Sequence, residues 1–255
     1  MDKILIEQIK EVIIEAGLIA LDLRSKGLEI TYKSDKSPVT NADKKISYHI
    51  FSALSRITPQ IPVICEERES PTIIDSGSFW LVDPIDGTKS YIRNNEIFTI
   101  NIALIEKGKP VVGFVHLPSQ SRLYFTDKNS DLVIEVDGKV VVPRVHDKRG
   151  FVAVVSSHNF NPSTQDYLNY YNFDEILAVP SSYKLCMVAE GLCDVYPKFG
   201  ETMEWDIAAG DAILRAAGGG VYTTRGSIML YGKETLVNPH FIAASSKWLK
   251  NNKLS

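Results

Sequence analysis

Apolar residues in the first 57 positions recur at helical spacing in two stretches. The first stretch repeats them at steps of three and four, with charged residues on the other face, at Leu5, Ile9, Val12, Ile13, Ala16, Ala20 and Leu23. This period predicts an amphipathic helix that ends at Gly27. The segment 28–33 alternates like a strand, and residues 44–57 (KKISYHIFSALSRI) predict a second amphipathic helix.

The pattern changes to strands from Phe79 onward. FWLV leads into DPIDGT, and residues 98–118 read as two strands joined by a turn at 107–109. The run LVIEVDGKVVV predicts a hairpin with Asp137 and Gly138 at its tip, since both positions of such a turn favour residues that accept positive φ. Helical and strand patterns then alternate to the end of the chain. The whole predicts an α/β protein with large sheets and a soft boundary near 146–150.

Composition narrows the class of protein and of partner. The 255 residues are 44% hydrophobic and 23% charged, which excludes disorder for most of the chain. A net charge of −3 and a pI near 6.0 exclude an overall positive charge that would attract nucleic acid. Three cysteines without a C-x-x-C pair favour reduced thiols and a cytoplasmic location. The longest apolar runs fall far short of the roughly 18 residues of a membrane span, so any membrane association would be weak and peripheral. The sequence is compatible with either a monomer or a homodimer.

Carboxylates follow several of the apolar runs. These acids are Glu66, Glu67, Asp83 and Asp86, and a fifth, Asp206, directly follows Trp205 at a predicted helix entrance. Open α/β sheets place ligand sites where strands end, and clustered carboxylates select hard cations such as Mg²⁺. Asp83 and Asp86 lie three positions apart across a predicted tight turn, so their carboxylates can converge on one point. This arrangement predicts metal-assisted transfer of a phosphoryl group to water. The alternative interpretation is that Asp-Pro and Asp-Gly are ordinary surface turns.

Two further helix starts have two interpretations each. Ser181, Ser182 and Lys184 precede an apolar helix, where they suit either a phosphate site or a capping serine beside an exposed lysine. Asp43, near the start of the second helix, is read as a capping residue in the same way. The five histidines have no ligand spacing, so none is assigned to a metal.

Taken in order, PVTNAD, EE, WLVDPIDGT and WDIAAGDAILRAAGG resemble the inositol monophosphatase superfamily of Mg²⁺-dependent, lithium-sensitive phosphatases. The resemblance covers nearly the whole chain. The segment from SSYK to MEWD is similar to the bisphosphate nucleotidase branch of the superfamily. The resemblance implies a layered αβαβα sandwich of the sugar-phosphatase type. It also implies an N-terminal α+β lobe (1–148) and a C-terminal α/β lobe (149–255) with the active site between them.

The resemblance also implies residue roles and two or three Mg²⁺ ions per site. The metal ligands would be Glu66, Asp83, the carbonyl of Ile85, Asp86 and Asp206, with Glu67 at a further, weaker ion. The catalytic residues would be Asp43, Thr88 and Glu66, with Thr88 oriented by Asp43 to position the attacking water. The substrate contacts would be Glu66, Ile85, Asp86, Gly87, Thr88, Ser181, Ser182, Lys184, Glu204 and Asp206, with Glu204 lining the sugar pocket.

The implied reaction is hydrolysis of the 3′-phosphate of adenosine 3′,5′-bisphosphate to AMP, with its sulfated relative as a second nucleotide substrate. The alternatives are an inositol or other sugar phosphate monoesterase and a non-catalytic sensor of adenosine phosphates. Three positions depart from the pattern of the relatives: Cys65 before the acidic pair, Pro180 before the serines, and the sequence around Ser157 and His158, where many nucleotidases carry an arginine. The missing arginine weakens the substrate prediction and leaves the predicted metal ligands unaffected.

Overall fold

The computed structural model describes residues 2–68, 77–127, 129–147, 150–157 and 161–252. Its helices are α1 (Lys3–Lys26), α2 (Asn41–Ile57), α3 (Thr88–Ile92), α4 (Pro162–Tyr171), α5 (Tyr183–Glu190), α6 (Glu204–Ala216) and α7 (Ser246–Asn251), with a short 3₁₀ helix at Pro118–Gln120. Its strands are β1 (Ile30–Tyr32), β2 (Pro38–Thr40), β3 (Val63–Cys65), β4 (Ser78–Asp86), β5 (Thr99–Glu106), β6 (Lys109–Leu117), β7 (Arg122–Thr126), β8 (Leu132–Val136), β9 (Lys139–Val140), β10 (Val152–Ser156), β11 (Glu175–Val179), β12 (Val195–Lys198), β13 (Gly220–Thr223) and β14 (Phe241–Ala244). Across these described ranges, no helix has the length and apolar character needed to cross a membrane.

The strands form three sheets. Strands β3 to β9 make a seven-stranded sheet in sequence order, antiparallel except for the parallel pair β3–β4. A five-stranded sheet has the order β11-β10-β12-β14-β13, and β1 pairs with β2 in a separate hairpin. The predicted hairpin of β8 and β9 is confirmed, with Asp137 and Gly138 at positive φ.

The two opposite faces of each large sheet pack against different helices, because successive side chains of a strand point to opposite sides. Helices α1 and α2 pack on one face of the seven-stranded sheet. Helices α5 and α6 fill the space between its other face and the five-stranded sheet. Helices α4 and α7 cover the far side of the smaller sheet through Leu168 and Trp248. The predicted αβαβα layering is therefore confirmed. The central core joins side chains from 1–148 and 149–255, and the division into two lobes stays a prediction.

The two predicted N-terminal helices form because their apolar stripes face the same sheet. In α1 the buried residues include Ile9, Ile13 and Ala20, and Gly27 at φ 100° ends the helix as predicted. Helix α2 begins at Asn41, three residues before the predicted start, because Thr40 and Asp43 form a capping box there.

Strand β4 contains the irregularity that shapes the rest of the molecule. Asp83 lies opposite Asn101 on β5, whereas Asp86 lies opposite Thr99, so three steps along β4 match two along β5. Residues three apart on a regular strand face opposite sides of the sheet. The extra residue of this bulge turns both carboxylates toward the layer of α5 and α6. The prediction that Asp83 to Asp86 form a tight turn is wrong, since the strand continues to Asp86 and α3 follows Gly87 at φ 88°.

Helix α6 approaches the seven-stranded sheet closely because β6 has a glycine at the contact. A Cβ atom at Gly113 would lie 2.2 Å from the carbonyl oxygen of Ala209 and 2.9 Å from the Cβ of Ala212. Such distances are well inside van der Waals contact, so any side chain at Gly113 would push the helix off the strand.

We therefore predict that Gly113→Ala destabilises the fold by about 3 kcal/mol, the upper end of the usual cost of overpacking a core. Urea unfolding followed by circular dichroism measures this change. The matched control is Gly138→Ala, whose added Cβ meets nothing within 4 Å and costs only about 1 kcal/mol of left-handed backbone strain. Equal destabilisation by the two changes would contradict the packing argument.

Candidate active site

A cleft of about 300 Å³ opens where β4 ends and where α5 and α6 begin. Ten residues predicted from the sequence line it: Glu66, Asp83, Ile85, Asp86, Gly87, Thr88, Ser181, Ser182, Lys184 and Asp206. They come from segments up to 140 positions apart in the chain, so the layered packing brings them together. Asp43, Glu67 and Glu204 are not among the residues that line the cleft.

The carboxylates of the cleft interact strongly because burial removes them from water and because they carry like charges. Asp83 is 1% exposed. Burial raises its pKa well above the usual range, and the charges of Glu66, Asp86 and Asp206 raise it further. Burial likewise raises the pKa of Asp206, with Asp86 as the main charged neighbour. Such mutual repulsion favours a bound cation between the groups.

Each of these carboxylates has a protein donor of its own. Asp83 accepts the Ile85 amide at 3.1 Å, Asp86 accepts the Ser182 amide, and Asp206 accepts the Met203 amide at 2.7 Å. In the described part of the chain, no three His, Cys, Asp or Glu side chains stand in the arrangement of a metal site. The donor set itself, carboxylate oxygen atoms whose negative charge nearby lysines compensate only in part, has the chemistry that Mg²⁺ requires.

Asp43 and Thr88 meet as predicted, although Asp43 is also a capping residue. Its Oδ2 accepts the Thr40 amide at 2.8 Å, which fixes the start of α2. The Thr88 hydroxyl lies 3.1 Å from the carbonyl oxygen of Ile85 and 3.4 Å from Asp43 Oδ1. Burial raises the pKa of Asp43 to about 6. The pair therefore joins a buried carboxyl group to a hydroxyl at the edge of the cleft.

Lys33, between β1 and β2, binds both acids of the predicted acidic pair. Its Nζ lies 2.8 Å from Glu66 Oε1 and 2.6 Å from Glu67 Oε1. Burial lowers the pKa of Lys33, but the two carboxylates outweigh it and raise the pKa above its ordinary value. Burial raises the pKa of Glu67. Lys33 has no signal in the sequence, because it follows a three-residue strand of exposed side chains and its partners lie 33 and 34 positions away.

The start of α5 contradicts the interpretation of Lys184 as an exposed lysine, whereas the Ser181 Oγ does accept a backbone amide of the first turn, that of Tyr183 at 3.3 Å. Lys184 is 4% exposed, its Nζ donates to the Ser181 carbonyl, and it lies 5.0 Å from the ring centroid of Tyr196. The Ser182 hydroxyl makes no capping bond; it contacts Thr99 and Asn101, each at 2.8 Å. Both side chains therefore belong to the cleft and its wall.

The structure adds a second lysine that the sequence analysis missed. Lys198, at the end of β12, lines the cleft beside Tyr196. Burial lowers its pKa, while Asp206 and Asp86 raise it. Burial also lowers the pKa of Lys184, to about 8. The available signal was a lysine inside the apolar run VYPKF, because lysine is seldom buried without an anionic partner.

The prediction that Glu204 lines the sugar pocket is wrong. Its side chain is fully buried, and its two carboxylate oxygens accept the amides of Gly232 at 2.7 Å and Lys233 at 2.9 Å. Glu204 thus holds a later loop against the start of α6.

The three departures from the family pattern lie at different places relative to the cleft. Pro180 and Ser157 line the cleft, whereas His158 lies outside the described residues. Cys65 is buried, with its Sγ 3.1 Å from the Ser47 hydroxyl. The change at Cys65 therefore affects packing behind the acidic pair.

Comparisons with known proteins identify the family of the chain. The model of the inositol monophosphatase family matches residues 1–254. The chain is 38% identical over 220 residues to the 3′(2′),5′-bisphosphate nucleotidase CysQ of Salmonella typhimurium, covering 85% of this chain and 89% of that protein. It is 36% identical over 225 residues to the CysQ of Buchnera aphidicola, covering 86% and 85%. The crystal structure of CysQ from Bacteroides thetaiotaomicron superposes with a TM-score of 0.82 at 34% identity, covering 94% of this chain and 96% of that one. The chain belongs to the inositol monophosphatase family, a family of phosphatases.

Proposed function

We propose that this phosphatase hydrolyses the 3′-phosphate of adenosine 3′,5′-bisphosphate, giving AMP and phosphate, with Mg²⁺ as its metal. The observation that carries the proposal is a single cleft in which buried carboxylates and two buried lysines lie together. The carboxylates suit a metal-dependent phosphate site. The lysines suit a second anionic group on the same substrate. The names of the CysQ relatives support this choice of substrate.

The residues proposed to hold two or three Mg²⁺ ions are Glu66, Asp83, the carbonyl of Ile85, Asp86 and Asp206, with Glu67 at the weakest site. When bound, the metal neutralises phosphate charge and lowers the pKa of a water molecule. Lys33 already bridges Glu66 and Glu67, so it limits how freely those two carboxylates bind another cation.

Asp43 and Thr88 are proposed to handle the attacking water. The single proton of the Thr88 hydroxyl is shared between the Ile85 carbonyl at 3.1 Å and Asp43 Oδ1 at 3.4 Å, and its oxygen can accept a hydrogen bond from water. Asp43, with a pKa of about 6, is mostly ionised at neutral pH and can receive a proton through Thr88. The backbone amides of Gly87 and Thr88 and the side chain of Glu66 complete the proposed phosphate and water contacts.

Ser181, Lys184 and Lys198 are proposed to face the nucleotide. The 5′-phosphate would lie against the two ammonium groups, which would then have an anionic partner in addition to Asp86 and Asp206. A sugar phosphate monoesterase is the second candidate, because the carboxylates alone would serve any phosphate monoester.

The three free, buried cysteines support the cytoplasmic location inferred from the sequence.

Phosphate release from a substrate panel tests the proposal. With Mg²⁺ we expect fast release from adenosine 3′,5′-bisphosphate, slower release from inositol 1-phosphate and fructose 1,6-bisphosphate, and none after addition of EDTA. Preference for inositol 1-phosphate would establish the monoesterase instead. Binding of the nucleotide without turnover of any substrate would establish a sensor.

Replacement of a clustered carboxylate should separate catalysis from stability. We predict that Asp206→Asn lowers kcat by roughly 10²–10³-fold, the scale of losing one charge-stabilising group. We also predict a higher Tm in EDTA, because the change removes a buried charge that Asp86 repels.

The matched control is Asp211→Asn on the same helix. Asp211 is 0% exposed and pairs with Arg215 at 2.8 Å. Its replacement should therefore lower the Tm, because breaking a buried ion pair costs about 3–5 kcal/mol of stability. Scanning calorimetry in EDTA measures both variants. A fall in Tm for Asp206→Asn would contradict the charge-cluster argument.

The lysine pair should determine preference for a second phosphate. We predict that Lys198→Met lowers kcat/KM for adenosine 3′,5′-bisphosphate about 10–100-fold, equivalent to one charge-assisted hydrogen bond. The same change should leave kcat/KM for 3′-AMP, which lacks the 5′-phosphate, nearly unchanged. Exposed Lys139, replaced by Met, is the control for net charge. Equal losses on both nucleotides would contradict the assignment of Lys198 to the 5′-phosphate.

A further inference from the structure

Three polar side chains are buried at the wall of the cleft. Thr99 is 0%, Asn101 1% and Ser182 4% exposed. Thr99 and Asn101 lie two positions apart on β5, so both face the layer that contains α5. Burial of a polar group without compensation costs about 1–3 kcal/mol, so this cluster needs a physical reason.

The hydroxyl of Ser182 joins the cluster to the start of α5. Ser182 donates to Asn101 Oδ1 at 2.8 Å, and its oxygen lies 2.8 Å from the Thr99 hydroxyl. Because Ser182 has one hydroxyl proton, Thr99 is the donor in the second contact. The chain of bonds from Thr99 through Ser182 to Asn101 therefore ties α5 to the middle of the seven-stranded sheet.

The same three residues lie against the carboxylates. The strand register sets Thr99 opposite Asp86 and Asn101 opposite Asp83. The backbone amide of Ser182 donates to Asp86. One residue of α5 thus contacts β5 through its hydroxyl and the end of β4 through its amide.

Asn101 also has a donor with no partner. Its Nδ2 is buried and makes no hydrogen bond among the described residues. Cross-strand neighbours on one face of a sheet have Cβ atoms about 4.5–5.5 Å apart. Asn101 therefore brings an unpaired amide N–H to the strand position opposite Asp83, where a leucine of similar size would place none.

We propose that Thr99 and Asn101 are positioning residues that act through Ser182 and Asp86. They fix the distance between the carboxylates of β4 and Lys184 on α5. This inference rests on the proposed function of the cleft. Correct spacing of these groups matters because small displacements of catalytic groups cost large factors in rate. Residues behind metal ligands typically change metal affinity or activity 10–100-fold when replaced.

The test compares two buried threonines of the same sheet. Thr99→Val and Thr126→Val each remove one buried hydroxyl; Thr126 is 1% exposed and its Oγ1 accepts the Gly113 amide at 3.2 Å. We expect similar losses of Tm in EDTA. We expect only Thr99→Val to lower kcat 10–100-fold, with KM nearly unchanged because the lost contribution is specific to the transition state.

Calorimetric titration of the substrate-free proteins with Mg²⁺ gives a readout that does not depend on turnover. Thr99→Val and Asn101→Leu should bind Mg²⁺ 10–100-fold more weakly than wild type, whereas Thr126→Val should bind it equally. Thr99→Ser, which restores the hydroxyl, should recover both affinity and kcat. Mg²⁺ binding and kcat for Thr99→Val equal to those of Thr126→Val would overturn the proposal. Absence of nucleotide hydrolysis by the wild-type protein would instead overturn the proposed function, and the Mg²⁺ titrations would still decide this inference.

Discussion

The structure depends on one electrostatic constraint, which is that several carboxylates of like charge must be buried at one place. Asp83, Asp86 and Asp206 each have a raised pKa, and burial is the largest cause for each. In a protein interior such charges repel strongly and lack the solvation of water. The folded chain must therefore supply enough favourable packing elsewhere to hold them together, and a full five-layer core provides it.

The bulge in β4 and the glycine in β6 are the two backbone devices that meet this constraint. The bulge changes the phase of the strand, so that Asp86 faces the same layer as Asp83. Gly113 allows α6 to approach the sheet, and α6 begins with the turn that contains Asp206. A regular strand would send one carboxylate into the apolar layer of α1 and α2, where nothing could compensate it. The bulge in β4 therefore creates the carboxylate cluster, and the regular packing around it offsets the free-energy cost of burying like charges.

Sequence patterns predicted the regular parts of this fold because they depend on local spacing. The apolar stripe of α1, its end at Gly27 and the hairpin tip at Asp137 all follow from rules that act within a few residues. The bulge was read as a turn, since a proline and a glycine near two aspartates indicate a turn as readily as an irregular strand. Its phase depends on β5, which no local pattern reveals.

The same division holds within the cleft. The acids were identifiable because their order along the chain resembles a known family. Lys33 has no motif of its own and is recognised by its ion pair with Glu66, and Lys198 is indicated in the sequence only by its place in the apolar run VYPKF. Glu204 was misplaced for a related reason: an acid at a helix start points either into the cleft or toward a loop, and only the tertiary contacts of Gly232 and Lys233 decide between them.

Two buried lysines change what the carboxylate cluster can do. A purely anionic cleft would repel a phosphate ester before any cation bound to it, and it would show no preference among phosphate esters. Lys184 and Lys198 are both buried residues of the same cleft, where their charges are screened less than on the surface. Their pKa values are lowered by burial, so the cost of keeping them charged is offset only in part by Asp86 and Asp206. A second phosphate on the substrate would complete that compensation. The balance of charge inside the cleft therefore supports the proposed bisphosphate over a monoester, although the chain as a whole has a net charge of −3.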